Sequence, residues 1–270
     1  MARSQTGPDF IEALARGIDV IRAFAPSRPT MVLSEVAEAT GLARPTARRI
    51  LLTLQELGYA RLDDRGWSLT PRVLELGTAY VHSQGLWELA RPHMEDLVRQ
   101  TGESSSIAQL DGSDIVYVAR VAVPKIITFA VAIGTRFPAL QTSLGKVLLA
   151  ALPPEEVETR LAEPSRSGIT PRWQPSREER EQHLREVRAR GWAVADEQLA
   201  AGIRSAAVPL RDGEGRVVAA MNVTVHAAET SVETLTDEHL PRLLAAAGRI
   251  SHDYALRDAV PQVTMGAPVP

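Results

Sequence analysis

The stretch LSEVAEATGLARPTARRILLTLQELGYARL, Leu33 to Leu62, decides how the N-terminal part of this chain is read. SEVAEAT opens on Ser34, a residue type that favours helix N-caps, and carries Val36 and Ala37 on its inner side. Gly41 supplies a turn, and Leu42 plugs the gap behind it. Pro45 suits the first turn of the next helix, where its missing N–H leaves nothing unpaired. That helix is expected to run to Leu57 and to end at Gly58. YARLDDRGWSLT then gives two short β-type runs around Asp64-Arg65-Gly66, the pattern of a hairpin. Upstream, DFIEALARGIDVIRAFA sets Ile11, Leu14, Ile18, Ile21 and Phe24 at helical spacing before Pro26 and Pro29 stop it. Three helices and a hairpin within so short a span predict a winged helix-turn-helix.

The helix from Pro45 has two faces. Ala47, Ile50, Leu51 and Leu54 fall at i, i+3, i+4 and i+7 and must pack inward. Thr46, Arg48, Arg49 and Thr53 lie on the other side, with Arg44 at the N-terminal edge. An apolar back with fork-shaped cations in front is what a recognition helix in a DNA major groove requires. Arginine fits the guanine O6/N7 edge through two parallel N–H donors, and a helix N-terminus favours a phosphate. Ser34 and Pro45 join this candidate DNA-binding set at the starts of the two helices, and Arg65, with Arg61, offers wing contacts to the backbone or minor groove. The alternative is that these arginines merely solvate an amphipathic helix. The turn glycine, the plugging leucine, the first-turn proline and the hairpin together favour DNA.

Composition neither demands nor forbids this. The 270 residues carry a formal net charge of −3, but residues 1–72 hold 10 Arg against 8 Asp and Glu. The rest of the chain is the acidic part, so a basic reader is attached to an acidic body. There is no cysteine, which excludes disulfides and thiol chemistry, and the basic residues are almost all arginine, with lysine only at Lys125 and Lys146. The N-terminus lacks an apolar signal core and no run reaches a membrane span, so a cytoplasmic protein without membrane contact is expected.

From Pro71 to Gln100 the pattern is helical, with breaks expected near Gly85 and at Pro92. Beyond it strands and helices are mixed. SSSIAQLDGSDIVYVARV reads as a hairpin around Asp111-Gly112, and KIITFAVAI as a further strand. SLGKVLLAALP, EEVETRLAE and SREEREQHLREVRARG read as helices; WAVADEQ, IRSAAVPLRD and RVVAAMNVTV as strands; DEHLPRLLAAAGRISHDYAL as a closing helix. Strands flanking a run of helices predict an α+β domain with a mainly antiparallel sheet. The expected division is a winged helix-turn-helix domain over 1–71, a helical linker over 72–100, an effector domain over 101–257 and a disordered tail over 258–270.

LARGIDVIRAF, the winged-helix run, LTPRVLELG, TSLGKVLLA and GWAVADEQLAAGIRSAAVPLRDGEGRVVAAMNV, in that order, resemble the IclR family of bacterial transcription regulators. The resemblance covers the chain from about Phe10 to Tyr254. GTRFPALQTSLGKVLLA and GIRSAAVPLRD look most like the branch that controls aromatic-acid catabolism through the β-ketoadipate pathway. It implies a GAF-like C-terminal domain that binds a small organic acid, and homodimers pairing through the N-terminal region and assembling as dimers of dimers. It implies double-stranded operator DNA as partner, with RNA polymerase as a further one, and no cofactor. The family's pocket maps onto Ser143, Leu144 and Gly145, Ala195 and Asp196, Ile203 and Ser205, and Asn222 and Thr224. Ser143 opens a helix, whose N-terminus suits a carboxylate, and Asn222 and Thr224 share one strand face. Leu144, Ile203 and Met221 or Phe129 would wall an aromatic ring, and Arg136, Arg204 and His226 are further candidates to pair an acid. Ala195 stands where the family commonly has an acidic residue, and Ser205 where it often has cysteine. Both changes fit a ligand bulkier than glyoxylate.

Two rival readings differ in class. A hydrolase would use Ser143, but QTSLG lacks the first glycine of the nucleophile elbow and no histidine stands near it in sequence. The histidines at 82, 93, 183, 226, 239 and 252 show no metal-ligand spacing. The second rival is a DNA-binding protein without a ligand, against which the mass of the C-terminal domain argues. A regulator of another small-organic-acid pathway also fits the family pattern.

Overall fold

The computed structural model describes residues 7–25, 27–77, 80, 85–124 and 131–259. The chain divides into two compact units, 1–83 and 84–270.

In the first unit three helices, α1 (Glu12–Ala23), α2 (Leu33–Thr40) and α3 (Arg44–Glu56), pack with a small sheet. The sheet has the order β1-β3-β2, from β1 (Thr30–Met31), β2 (Ala60–Asp63) and β3 (Gly66–Leu69). Val20, Met31, Val36, Ala47, Leu51, Leu54 and Trp67 form its core. Gly41 ends α2 at φ 67°, a left-handed conformation that strains residues with a Cβ, so the turn between α2 and α3 needs it. The helix start differs from expectation. Val32, not Ser34, is the N-cap of α2, and the Glu35 carboxylate accepts the Val32 N–H at 2.8 Å, which satisfies the orphan donor from inside the helix. The stripe expected along α1 also splits. Val20 is buried, and Ile21 and Phe24 partly so, whereas Ile11, Leu14 and Ile18 are exposed in the single chain.

The second unit opens with α4 (Leu86–Thr101). Gly85 breaks the chain before it at φ 59°, but the break expected at Pro92 is absent and the helix runs through. Pro92 is exposed, so its ring and its missing amide lie on the watery side of the helix. An antiparallel six-stranded sheet follows in the order β6-β5-β4-β9-β8-β7. Its strands are β4 (Ser104–Asp111), β5 (Asp114–Val121), β6 (Arg136–Pro138), β7 (Ala193–Asp196), β8 (Ile203–Arg211) and β9 (Val217–His226). Between β6 and β7 come α5 (Ser143–Ala150), α6 (Pro154–Ala162) and α7 (Arg177–Arg190). A π-helical turn, Leu235–His239, leads into α8 (Leu240–Ala259). The α+β architecture matches the sequence pattern. The short strand β6 was not foreseen, and most of the strand expected over 125–133, with Phe129, lies outside the described residues, as does 260–270 of the expected tail.

α5 is buried on every side. A Cβ on Gly145 would stand 2.1 Å from the Ala139 carbonyl oxygen, so only glycine lets this helix lie against the preceding turn. Leu144, Val147, Leu148 and Leu149 join Ile115, Ala207 and Ala220 in the main core.

Candidate nucleic-acid face and ligand pocket

On α3, Arg44, Pro45, Arg48, Arg49 and Thr53 are exposed and Thr46 is half-buried, while Ala47 and Leu51 are fully buried on the reverse. The Thr53 hydroxyl donates to the Arg49 carbonyl at 2.9 Å. Ser34 is exposed in the first turn of α2. In the wing, Asp63 faces Gly66, leaving Asp64-Arg65 as a two-residue loop whose Arg65 N–H donates to the Asp63 carboxylate at 2.9 Å. The Arg61 guanidinium donates to Ser68 Oγ at 3.1 Å, beside the hairpin.

Ion pairing distinguishes this helix from a solvated one. On α7, Arg177 pairs with Glu181 at 2.8 Å, and Arg180 reaches Glu158. On α3, no carboxylate among the described residues pairs with Arg44, Arg48 or Arg49, and the first turn carries no acidic residue. Three unneutralised guanidinium groups on one exposed helix face suit a polyanion.

The second unit contains a pocket on one face of its sheet. Strand register explains its walls. Ser104 pairs with Thr224, Thr224 with Ser205 and Ser205 with Ala195, so one row of side chains crosses four strands on one face, and all four line the pocket. Ile203 and His226 form the next pair, and Asn222 faces the same space. Tyr117, Val131, Phe137 and Leu199 add apolar wall, with the Tyr117 and Phe137 rings edge to face at 5.6 Å.

The other expected residues lie behind or beside the pocket. Ser143 is buried, and its hydroxyl shares a 2.7 Å hydrogen bond with that of Ser205. Leu144 is in the core, and Gly145 donates its N–H to Thr142 Oγ1 at 3.0 Å. Asp196 is exposed and pairs with Arg204 at 2.7 Å; Arg136 pairs with Asp111 and with the buried Asp114. Met221 falls on the opposite sheet face from Asn222 by strand alternation. The Asn222 amide is satisfied from within: Oδ1 accepts the Ser106 N–H at 3.0 Å, and Nδ2 donates to Thr224 Oγ1 at 3.0 Å. Thr224 therefore keeps its own hydroxyl proton to offer.

Arg120 is the pocket residue that sequence reasoning missed. A bulge between Ile107 and Ala108 shifts the β4–β5 register, so that Ala108 faces Tyr117 while Ile107 faces Ala119. Without that shift, Tyr117 and Arg120, three residues apart, would point to opposite faces; both line the pocket. Arg120 is half-buried and donates to Ser106 Oγ at 3.0 Å, with no carboxylate among the described residues paired to it. Burial pulls its pKa below the usual arginine value, with Tyr117 opposing, and burial pushes the Tyr117 phenol up to about 12. The guanidinium stays charged and the phenol neutral at physiological pH. Glu103, Gln141, Thr142 and Gln198, also missed, add to the polar lining.

A winged helix with a free cationic face, joined in one chain to a domain with a pocket holding an unpaired cation, defines a DNA-binding protein with a small-molecule-binding domain. Residues 13–64 match the IclR helix-turn-helix domain, and residues 78–252 match the bacterial transcriptional regulator IclR C-terminal domain. The chain belongs to the IclR family of bacterial transcriptional regulators. It is 39% identical over 246 residues to the Pca regulon regulatory protein of Pseudomonas putida, covering 91% of this chain and 84% of that one. It is 32% identical over 247 residues to the p-hydroxybenzoate hydroxylase transcriptional activator of Acinetobacter baylyi, covering 90% and 91%. An IclR homologue from Microbacterium hydrocarbonoxydans, crystallised with 4-hydroxybenzoate, superposes with a TM-score of 0.77 at 25% identity, over 91% of this chain and 100% of that one. No helix among the described residues is long and apolar enough to cross a membrane.

Proposed function

We propose that this protein is a cytoplasmic regulator of aromatic-acid catabolic genes whose operator binding responds to an aromatic carboxylate. The observation that carries the reading is Arg120: a half-buried guanidinium with no carboxylate paired to it among the described residues, facing a pocket with walls of Tyr117, Phe137, Val131, Ile203 and Leu199. An aryl acid supplies a counter-ion for the arginine and a flat apolar body for the rings. The names of the relatives, which concern the Pca regulon and p-hydroxybenzoate hydroxylase, support the same branch. Ala195, Ile203, Ser205, Asn222 and Thr224 belong to this pocket; Ser143, Leu144 and Gly145 shape it from behind, and Asp196 acts through Arg204 at its edge.

At the other end of the chain, Arg44, Arg48 and Arg49 enter the major groove with Thr46 and Thr53, the α2 and α3 starts at Ser34 and Pro45 meet phosphate, and Arg65 meets the flanking backbone. The exposed Phe10, Ile11, Leu14 and Ile18 pair two copies, and the dimer reads two half-sites. Ligand binding changes the spacing of the paired winged helices through the segment 72–100, a coupling of about 1–3 kcal/mol. The test is calorimetry with benzoate, 4-hydroxybenzoate and 3,4-dihydroxybenzoate on the full chain and on Arg120→Met. The variant is expected to bind about 10- to 100-fold more weakly, the loss of a charge-assisted hydrogen-bonded pair. If no aromatic acid binds or raises the melting temperature while operator binding is intact, a ligand-independent DNA binder replaces this reading.

A further inference from the structure

Two glutamines line the pocket, and each has its amide orientation fixed by chemistry. The Gln198 carbonyl oxygen, Oε1, accepts from the Lys146 amine, which also donates to the Val194 carbonyl, so the oxygen and not the NH2 points to it. The Gln198 NH2 group, which has no partner among the described residues, is left as a donor on the pocket lining. Gln141 is set the opposite way. Its Nε2 donates to the Trp173 carbonyl at 3.1 Å, and a carbonyl can only accept, so the Gln141 Oε1 remains, among the described residues, an unpaired acceptor on the same lining.

One residue ties the two together. Trp173 accepts from Gln141 through its carbonyl and donates its N–H to the Gln198 main-chain carbonyl at 3.0 Å. The Lys146 amine sits 4.8 Å from the centre of the Trp173 ring and also donates to the Val194 carbonyl at 3.1 Å. Lys146 is wholly buried, and no carboxylate among the described residues pairs with it. Arg120 lies on β5 and Gln198 just beyond β7, with β4, β9 and β8 between those strands. Arg120, Gln141 and Gln198 nevertheless line one and the same pocket, so a ligand that fills it and meets Arg120 with its acid group has the glutamines on its remaining wall.

We propose that Gln141 and Gln198 form a donor–acceptor clamp for a ring hydroxyl, with Lys146 and Trp173 as the positioning residues that hold each amide the right way round. A phenolic hydroxyl accepts from the Gln198 NH2 and donates to the Gln141 carbonyl at once. A bare ring leaves both amides buried against carbon, and a second carboxylate has no proton for Gln141. The site thus selects hydroxylated aromatic acids over unsubstituted ones, an inference that rests on the aromatic-acid reading of the pocket.

The experiment is calorimetry at pH 6.5 on the full chain with benzoate, 3-hydroxybenzoate, 4-hydroxybenzoate and 3,4-dihydroxybenzoate. Gln198→Met, Gln141→Met and Lys146→Met are compared with the parent. The parent is expected to bind its best hydroxylated acid about 10-fold or more tightly than benzoate, and each variant to lower that ratio about 5-fold, with benzoate affinity within about twofold. A folding defect weakens all four acids together, so the ratio separates positioning from collapse; if Lys146→Met does not fold, the two glutamine variants decide. An unchanged ratio in both glutamine variants overturns the clamp alone. A parent protein that binds none of the four acids overturns the aromatic-acid reading and the clamp with it.

Discussion

Replacing Lys146 with methionine should change how stability depends on pH. The amine is enclosed by α5, α7, Trp173 and β7, and burial, helped by the nearby Arg190 cation, brings its pKa down to about 7 from 10.5. His183, which faces the same space, is cationic only in strong acid, and Glu186 offsets Arg190 in part. The unfolded chain keeps an ordinary lysine. Between the two values the unfolded state binds the more protons, so raising the pH stabilises the fold. The slope approaches 1.4 kcal/mol per pH unit, which integrates to about 2 kcal/mol of extra stability at pH 9 relative to pH 7. Below the folded value both states are protonated and the slope vanishes. The assay is guanidinium denaturation of the parent and Lys146→Met at pH 6, 7, 8 and 9. The difference in unfolding free energy should favour the variant at pH 6 and 7 and shrink as the parent gains stability. Parallel pH profiles would mean that the buried amine titrates like an exposed one, and the account of its surroundings would fail.

Other outcomes test the two ends of the chain. Arg48→Ala and Arg49→Ala should each weaken specific operator binding by about 1–3 kcal/mol in gel-shift titrations and leave acid binding unchanged, since both side chains are exposed and lie in the first unit, away from the pocket residues of the second. Leu51→Ala removes a fully buried side chain from the core of the first unit and should destabilise it by about 2–5 kcal/mol in thermal unfolding. Gly145→Ala places a methyl group 2.1 Å from the Ala139 carbonyl oxygen, so its soluble yield and melting temperature should fall sharply, whereas Gly248→Ala, with open space around it, should be neutral or mildly stabilising.

The N-terminal unit was legible because its signals are local. Gly41 before Arg44-Pro45, the period of Ala47, Leu51 and Leu54, and the Asp64-Arg65 loop are each set by a few adjacent residues. The dominant error there, the cap at Ser34, arose because the helix begins two residues earlier, where Glu35 at its third position accepts the Val32 N–H and fixes the start without a polar N-cap side chain. α1 misled for another reason: helical spacing reports an apolar face, not what covers it. In the second unit five of the nine expected ligand residues, Ala195, Ile203, Ser205, Asn222 and Thr224, line this pocket. Ser205, Asn222 and Thr224 sit at period two on strands that could be recognised one at a time. Arg120 could not be found that way, because the facing of its side chain depends on a bulge that exists only once β4 and β5 are paired. Gln141 and Gln198 lie in a tight turn and a loop with no period to read. Nothing in the pattern around Lys146 signals burial of a lysine, and only the packing of α5 on all sides shows it buried.

The extra residue opposite Ile107 and Ala108 makes the sign of the pocket a matter of counting. Inserting one residue between Ile107 and Ala108, so that Val118 gains a partner of its own, would restore an uninterrupted zigzag along β5 and carry the Arg120 guanidinium, relative to Tyr117, through the sheet toward the layer where α4 and α8 pack, without changing a single charged side chain; deleting Val118 would instead keep Arg120 on the pocket face. An insertion opposite the bulge is therefore a route by which this scaffold could exchange an anionic ligand for a neutral one in a single step.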